Sequence, residues 1–342
     1  MNTIGGILLA IVIFGVFIFV HELGHFLSAK AFNMKVNDFA LGFGPAIFKF
    51  TKGETTYALR AFPLGGYVTI DGDDEESDDE RAFPKQKIWK RVVVMAAGGV
   101  MNLMLGFIVV VVVLNIQPQL GTTTISNFQP NSVSSSALQV GDKILKINGS
   151  AINIDNDIVF GLVRAEDAMV DMKVERNGEI LELQVPFKME QVSEGVNSLY
   201  IDFTVLPLKK TVLSVLRSSY YYTGSIAKMV WISIIDLVTG KFSVNQLSGP
   251  VGVTAVISQA SALGIRPLLM LVAFITINLG VFNLLPLPAL DGGKLLFLLI
   301  EAIFRRRVPA KYENYVHTAG MALLLGLMLF VTFNDITKLF LK

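Results

Sequence analysis

Long uncharged apolar runs, separated by polar stretches of a different texture, set the first expectation for this chain. Four segments are long and apolar enough to cross about 30 Å of hydrocarbon: roughly Ile4–Ala29, Val92–Ile116, Pro267–Leu290 and Tyr315–Phe333. A weaker run, Ile226–Val238, carries Lys228 and Asp236. It reads as an amphipathic helix lying on the membrane or packed against the bundle. Residues 120–205 change period. Short alternating strands are punctuated there by Gly, Asn and Asp turns. Val140–Ile152 reads as strand, turn, strand, and Val170–Arg176 with Glu179–Val185 as a hairpin closed by Asn177-Gly178. The expected organisation is a first membrane half over 1–116, a β-rich module over 120–205, a helical linker over 206–266 and a second membrane half over 267–342.

Between the first two spans, Glu54–Arg60 and Gly66–Ile70 read as short strands around a Pro63-Leu64-Gly65-Gly66 turn. The acidic run Asp71–Glu80 reads as a solvated loop. Composition agrees with a polytopic membrane protein bearing one water-exposed module, since 52% of the 342 residues are hydrophobic and only 17% charged. A net charge of +1 argues against a nucleic-acid partner. The absence of cysteine excludes disulfides, thiolate metal sites and cysteine nucleophiles. Met1-Asn2-Thr3 has no basic residue and no small-x-small cleavage site follows the first run, so that run is expected to be a retained helix.

Lys/Arg bias orients the set. Lys30, Lys35, Lys49, Lys52, Arg60, Arg81, Lys85, Lys87, Lys90 and Arg91 follow the first span, and Lys294, Arg305, Arg306, Arg307 and Lys311 follow the third. Both loops are expected to be cytoplasmic. The N-terminus, 117–266 and the C-terminus then lie outside. This orientation places the end of the first span, Gly98, Gly99 and Asn102 of the second, and Asn283–Gly293 of the third in one layer toward the cytoplasmic side.

That layer carries the chemistry. His21-Glu22-Leu23-Gly24-His25 ends the first apolar run with no loop between. Residues four apart on a helix project from nearly one side, so His21 and His25 can grip one metal ion. Glu22 stands beside them, where it can take a proton from water at the metal. Ionisable groups inside a bilayer are costly and usually mark a function. A catalytic zinc wants three protein ligands and an open position. Asp291, Glu301 and His317 compete for the third place. Asp291 is the better placed. It follows Pro286 and Pro288, which break a helix, and it precedes Gly292-Gly293, which let backbone approach closely.

HELGH in a first span with Asn283-Leu284-Leu285-Pro286-Leu287-Pro288-Ala289-Leu290-Asp291-Gly292 in a later one resembles the site-2 protease family of intramembrane metalloproteases. The resemblance extends over nearly the whole chain and is nearest to bacterial members with one inserted PDZ domain. It implies an α-helical polytopic membrane protein with about four transmembrane helices, an extracytoplasmic PDZ domain and a membrane-associated β-hairpin. It implies Zn2+ held by His21, His25 and Asp291, with Glu22 as general base and Asn283 helping to hold the substrate backbone or the oxyanion. It assigns Gly42, Gly44, Gly65 and Gly66 of the hairpin segment, and Asn102 of a G-x-x-x-N motif beginning at Gly98, to the substrate side. Val140–Ile152 resembles the G-D-x-I-x-x-I-N-G core of a PDZ domain, although Ser134-Ser135-Ser136-Ala137-Leu138 departs from the bacterial pattern.

The implied activity is hydrolysis within or near transmembrane segments, at the cell (inner or plasma) membrane. The implied substrates are single-span proteins such as anti-sigma factors, trimmed first by an upstream site-1-type protease, or remnant signal peptides. The competing reading is a non-catalytic membrane scaffold or chaperone that binds envelope proteins through its PDZ domain. The intact set His21, Glu22, His25 and Asp291 separates the two.

Overall fold

A computed structural model of the chain describes residues 3–73, 77–193, 196–241 and 248–340. Residues 74–76 of the acidic run therefore fall outside the described residues. The chain divides into two compact units, residues 1–110 with 226–342, and residues 111–225.

The first unit contains the helices α1 (Thr3–Ala31), α5 (Pro250–Ala262), α6 (Ile265–Leu284), α7 (Asp291–Phe304) and α8 (Ala310–Phe340), with most of α2 (Ile88–Ile116) and the end of α4 (Val212–Val238). Among the described residues, four helical stretches are long and apolar enough to cross a membrane: Ile4–Ala31, Ile88–Ile116, Ile265–Leu284 and Lys311–Thr337. These match the four expected spans, with one correction. The third ends at Leu284 and not at Leu290. Leu285 is extended at φ −69°, ψ 146°, the conformation imposed on a residue that precedes proline. The weaker run Ile226–Val238 is the second half of the 27-residue α4.

The span helices approach closely where side chains are small. A Cβ on Gly280 of α6 would stand 2.8 Å from the Gly99 carbonyl oxygen of α2, and one on Gly99 would stand 3.0 Å from that of Gly280. Thr276 Oγ1 of α6 donates to the Asn102 carbonyl of α2 at 3.2 Å in the same seam. Ala10, Ile13 and Phe17 of α1 pack with Ile257 of α5 in one core. Ala29, Val94, Met95 and Leu298 bring α1, α2 and α7 together in another. At the start of α5, the buried Asp335 carboxylate of α8 accepts from the backbone N–H of Gly249 and of Gly252, each at 2.8 Å. A carboxylate there satisfies donors that a helix start leaves open.

The segment between the first two spans corrects the expected hairpin. Its strands are β1 (Val36–Lys52) and β2 (Thr55–Ile70), and the turn is at Gly53, φ +65°. Pro63-Leu64-Gly65-Gly66 lies inside β2. Both strands bend, near the positive-φ residues Gly42 and Gly44 in β1 and Gly65 in β2. Residues 36–41 pair with 66–70 on one side and stand opposite 56–59 on the other, while 48–52 pair with 55–59. The pair thus makes a sheet of four segments, in the order 66–70, 36–41, 55–59, 48–52. Ile47, Phe48 and Phe62 are more than half exposed, an apolar surface suited to lipid contact.

The second unit is built on the sheet order β10-β3-β4-β6-β7, with β5 paired to β4. These strands are β3 (Leu120–Phe128), β4 (Lys143–Ile147), β5 (Ser150–Ala151), β6 (Met169–Arg176), β7 (Glu179–Pro186) and β10 (Phe203–Leu208), joined by α3 (Asp155–Val163). A separate pair, β8 (Met189–Ser193) and β9 (Val196–Leu199), lies beside them in sequence. The expected turns are present. Asn177 and Gly178 both take positive φ between β6 and β7, and Asn148 and Gly149 do so between β4 and β5. Val170, Met172 and Val174 are buried at alternate positions of β6, against Ile144, Ile147, Ile158 and Leu162. The unusual Ser134–Ser136 run forms a tight turn held by Asp202. That carboxylate accepts from Val133 N–H at 2.7 Å, Ser134 N–H at 3.0 Å and Ser134 Oγ–H at 2.5 Å.

One ion pair fixes α7 to α2. The Arg91 side chain is 3% exposed and bonds the Glu301 carboxylate. Glu301→Leu leaves Arg91 buried without its counter-charge, and an expected cost of about 3–5 kcal/mol lowers the melting temperature in detergent. Adding Arg91→Met recovers most of that loss. An undiminished loss in the double variant would mean that packing and not charge holds α7.

Candidate metal centre

The local helical spacing of HExxH is realised in α1. His21 and His25 project from one side, with ring centroids 4.8 Å apart and Nε2 atoms 3.2 Å apart. The His25 Nδ1–H donates to the Val94 carbonyl of α2 at 2.8 Å. That bond sets the tautomer and leaves the His25 Nε2 lone pair directed at His21. The Asp291 carboxylate arrives from the first turn of α7. Its Oδ2 lies 3.2 Å from His21 Nε2 and 3.3 Å from His25 Nε2, yet makes no hydrogen bond of acceptable geometry to either. Among the described residues, these three are the group of His, Asp and Glu side chains whose ligand atoms converge closely enough to hold one ion.

The triangle fits a zinc ion. Around tetrahedral zinc with bonds of about 2.0–2.1 Å, ligand atoms stand about 3.3–3.4 Å from one another. The observed edges are 3.2, 3.2 and 3.3 Å. A buried carboxylate oxygen without a proton donor, facing two imidazole nitrogens, is the donor set of a cation site.

Of the other two candidates for the third ligand, Glu301 is held by Arg91. His317 accepts the Ala289 N–H at Nδ1, 3.0 Å away. Asn283 stands with its side-chain amide nitrogen 3.4 Å from His21 Nδ1. With His21 Nε2 facing a cation, its Nδ1 carries the proton. The same planar amide, turned over, then presents its oxygen there and frees its NH2 group.

The four predicted glycines and the asparagine take distinct places. Gly66 lies against the general-base candidate, because a Cβ there would come within 2.9 Å of Glu22 Cγ. Gly42, Gly44 and Gly65 sit at the bends of the sheet, all with φ between +84° and +99°. Gly42 backs onto the Phe62 carbonyl, Gly44 onto the Phe62 ring and Gly65 onto the Phe43 ring. Asn102 is buried in the α2–α6 seam, and its Oδ1 has no hydrogen-bond partner among the described residues. Two further glycines matter: Gly98, which the sequence offers as the start of the G-x-x-x-N motif, and Gly24, which it offers only as a spacer within HELGH. A Cβ on Gly98 of α2 would strike His25 Nε2 and stand 2.6–2.8 Å from the His21 ring. A Cβ on Gly24 of α1 would stand 2.5 Å from the Ala97 carbonyl oxygen. The two glycines let the ligand helix rest on α2.

A model of Peptidase family M50 matches residues 9–327. The chain belongs to peptidase family M50. Relatives agree along its length. A Clostridium perfringens protein, provisionally named as a zinc metalloprotease, is 36% identical over 332 residues, covering 96% of this chain and 98% of its own. The regulator of sigma-W protease RasP of Bacillus subtilis is 31% identical, covering 97% of this chain and 98% of its own. The zinc metalloprotease RasP of Bacillus licheniformis is 32% identical, with both chains fully covered. The Bacillus subtilis alignment spans 419 residues, longer than this 342-residue M50 chain, so that relative carries sequence absent here.

Gly98→Ala is expected to displace both imidazoles and to drop the zinc content of the purified protein well below one per chain. Gly15→Ala is the control, since nothing lies within 4 Å of a Cβ there, and it should leave zinc unchanged. Full zinc content in Gly98→Ala would contradict the tight fit.

Proposed function

We propose that this M50 protein is a zinc-dependent endopeptidase that cleaves peptide bonds within or near transmembrane segments. The observation that carries the reading is the triangle of His21, His25 and Asp291 on helices of the membrane unit, with Glu22 one residue from the first ligand. His21, His25 and Asp291 hold the metal. Bound zinc supplies a Lewis acid for the scissile carbonyl and acidifies water. Glu22 accepts the proton of the attacking water and passes it to the leaving amide nitrogen. The NH2 group of Asn283, freed when its oxygen faces His21 Nδ1, donates to the substrate carbonyl as negative charge develops there.

A peptide bond in an intact helix has its carbonyl already bonded to the N–H four residues on. The substrate must therefore unwind. The bent sheet offers a partner for the unwound strand, because an added strand along 66–70 passes beside Gly66 and hence beside Glu22. Gly42, Gly44 and Gly65 serve this step by shaping the bends, and Asn102 by holding the α2–α6 seam. An apolar cavity of about 610 Å³ adjoins the sheet, lined by Ile7, Phe14 and Ile18 of α1, Pro63 of β2, and Leu327 and Met328 of α8. Its apolar lining suits a membrane-spanning substrate.

Residues 120–205 act as a PDZ-type module on the extracytoplasmic side, together with both termini, while the metal centre lies toward the cytoplasmic side. The Lys/Arg distribution supports this orientation. The antiparallel sheet with α3 supports the module. Similarity to a regulator of sigma-W supports single-span regulators of the anti-sigma class as substrates, after trimming by an upstream protease. Remnant signal peptides share the same single-span chemistry.

Glu22→Gln is expected to retain about one zinc per chain while hydrolysis of a single-span substrate in detergent falls by at least about 100-fold. Normal turnover would remove Glu22 from the mechanism. Asp291→Ala is expected to lose zinc outright. Retention of zinc in that variant would move the third ligand elsewhere.

A further inference from the structure

The loop that delivers Asp291 is held in a conformation its own residues disfavour. Ala289, two residues before the carboxylate, has φ +68°. That left-handed region is strained for a residue with a Cβ, and glycine is its usual occupant. Inside the loop, Leu287 N–H donates to the Leu285 carbonyl, and Leu290 N–H to that of Leu287. The Ala289 N–H has a different destination. It donates to His317 Nδ1 on α8 at 3.0 Å. The ring of His317 is seated for this. A Cβ on Gly293 of α7 would stand 3.2 Å from its Cε1, and the Phe297 ring centroid is 5.8 Å away. One turn along α8, a Cβ on Gly320 would collide with the Pro288 side chain and stand 3.0–3.1 Å from its backbone. His317 and Gly320 therefore form a seat against which Pro288 and Ala289 rest.

We propose that His317 is a positioning residue for the metal centre: by accepting the Ala289 N–H it locks the left-handed kink that turns the Asp291 carboxylate toward His21 and His25. The inference rests on the metal-centre reading given above. It gives α8, which supplies no ligand, a direct part in building the site. His317 then acts as a hydrogen-bond acceptor through its unprotonated Nδ1 and is not itself a ligand.

The test is a zinc-affinity series on the detergent-purified full chain, by competition with a chromophoric chelator. Partners that orient metal ligands are typically worth about 10–100-fold in affinity. His317→Leu should weaken zinc binding by about that factor. His317→Asn, whose side-chain oxygen stands near the Nδ1 position, should return to within a few-fold of the parent. The deciding variant is His317→Leu with Ala289→Gly. Glycine takes the left-handed conformation without the Cβ penalty, so the kink no longer needs its brace and most of the affinity should return. The same pair should raise the melting temperature of the chelator-treated protein relative to His317→Leu alone, a readout independent of metal.

Parent-like affinity in His317→Leu overturns the proposal. So does a double variant no better than His317→Leu, which would make the ring a ligand or a packing element. Asp291→Asn runs alongside. If it binds zinc as tightly as the parent, the metal-centre reading itself fails, and the brace with it.

Discussion

Three lone-pair donors held within 3.3 Å of one another are mutually repulsive unless something positive stands between them. His21, His25 and Asp291 are in that position, and the surrounding structure is arranged to keep them there. The Val94 carbonyl fixes the tautomer of His25. Asn283 stands at the outer nitrogen of His21. Asp291 opens α7, and that helix is tied to the start of α2 by the Arg91–Glu301 pair and to the loop after β2 by a 2.8 Å contact of Lys294 with Asp73. Each ligand is thus fixed by a different neighbour. The site depends on packing between elements more than on any one of them.

That packing is bought with missing side chains. Lipid tails compete with apolar side chains on nearly equal terms, so spanning helices associate by close fit more than by exclusion of water. Gly24 lets α1 rest on the Ala97 carbonyl, Gly98 makes room for both imidazoles, and Gly99 meets Gly280 where α2 crosses α6. Gly66 repeats the device on the sheet, letting β2 approach Glu22. A methyl group at any of these would push His21, His25, Glu22 or a whole helix aside.

Local periodicity made the spans and the HExxH pair legible in the sequence, because both depend on the fixed 3.6-residue turn. The Asn-Gly turns of the second unit were equally legible, since left-handed backbone at two successive residues demands those types. The break after Leu284 is legible as a motif, but hydropathy continues six residues past the end of the helix, through Leu285, Leu287 and Leu290, where the backbone does not. The hairpin misled for a related reason. Pro63-Leu64-Gly65-Gly66 has the composition of a turn, and the chain uses it instead to bend a long strand. The reversal falls to Gly53, in a polar stretch that offered no contrast. The bond from Ala289 to His317 joins residues 28 apart through a backbone group. No pattern of side-chain types encodes it.

The break itself is a geometric necessity for this site. Asn283 and Asp291 both reach the ring of His21, at 3.4 Å and 3.2 Å. Were α6 to continue unbroken, eight residues would carry the carboxylate about 12 Å further along the axis, and no rotamer of so short a side chain could return it. The chain must therefore fold back over residues 285–290 and start a new helix at the ligand. Prolines at 286 and 288 end the old helix. Gly292, where a Cβ would run into the Leu285 carbonyl, lets the new helix begin against the end of the old one. A turn this tight leaves one residue, Ala289, in a disfavoured conformation and one N–H pointing away from the loop. A neighbouring helix must then meet that N–H, and α8 does so with His317, the one histidine outside the His21–His25–Asp291 triangle.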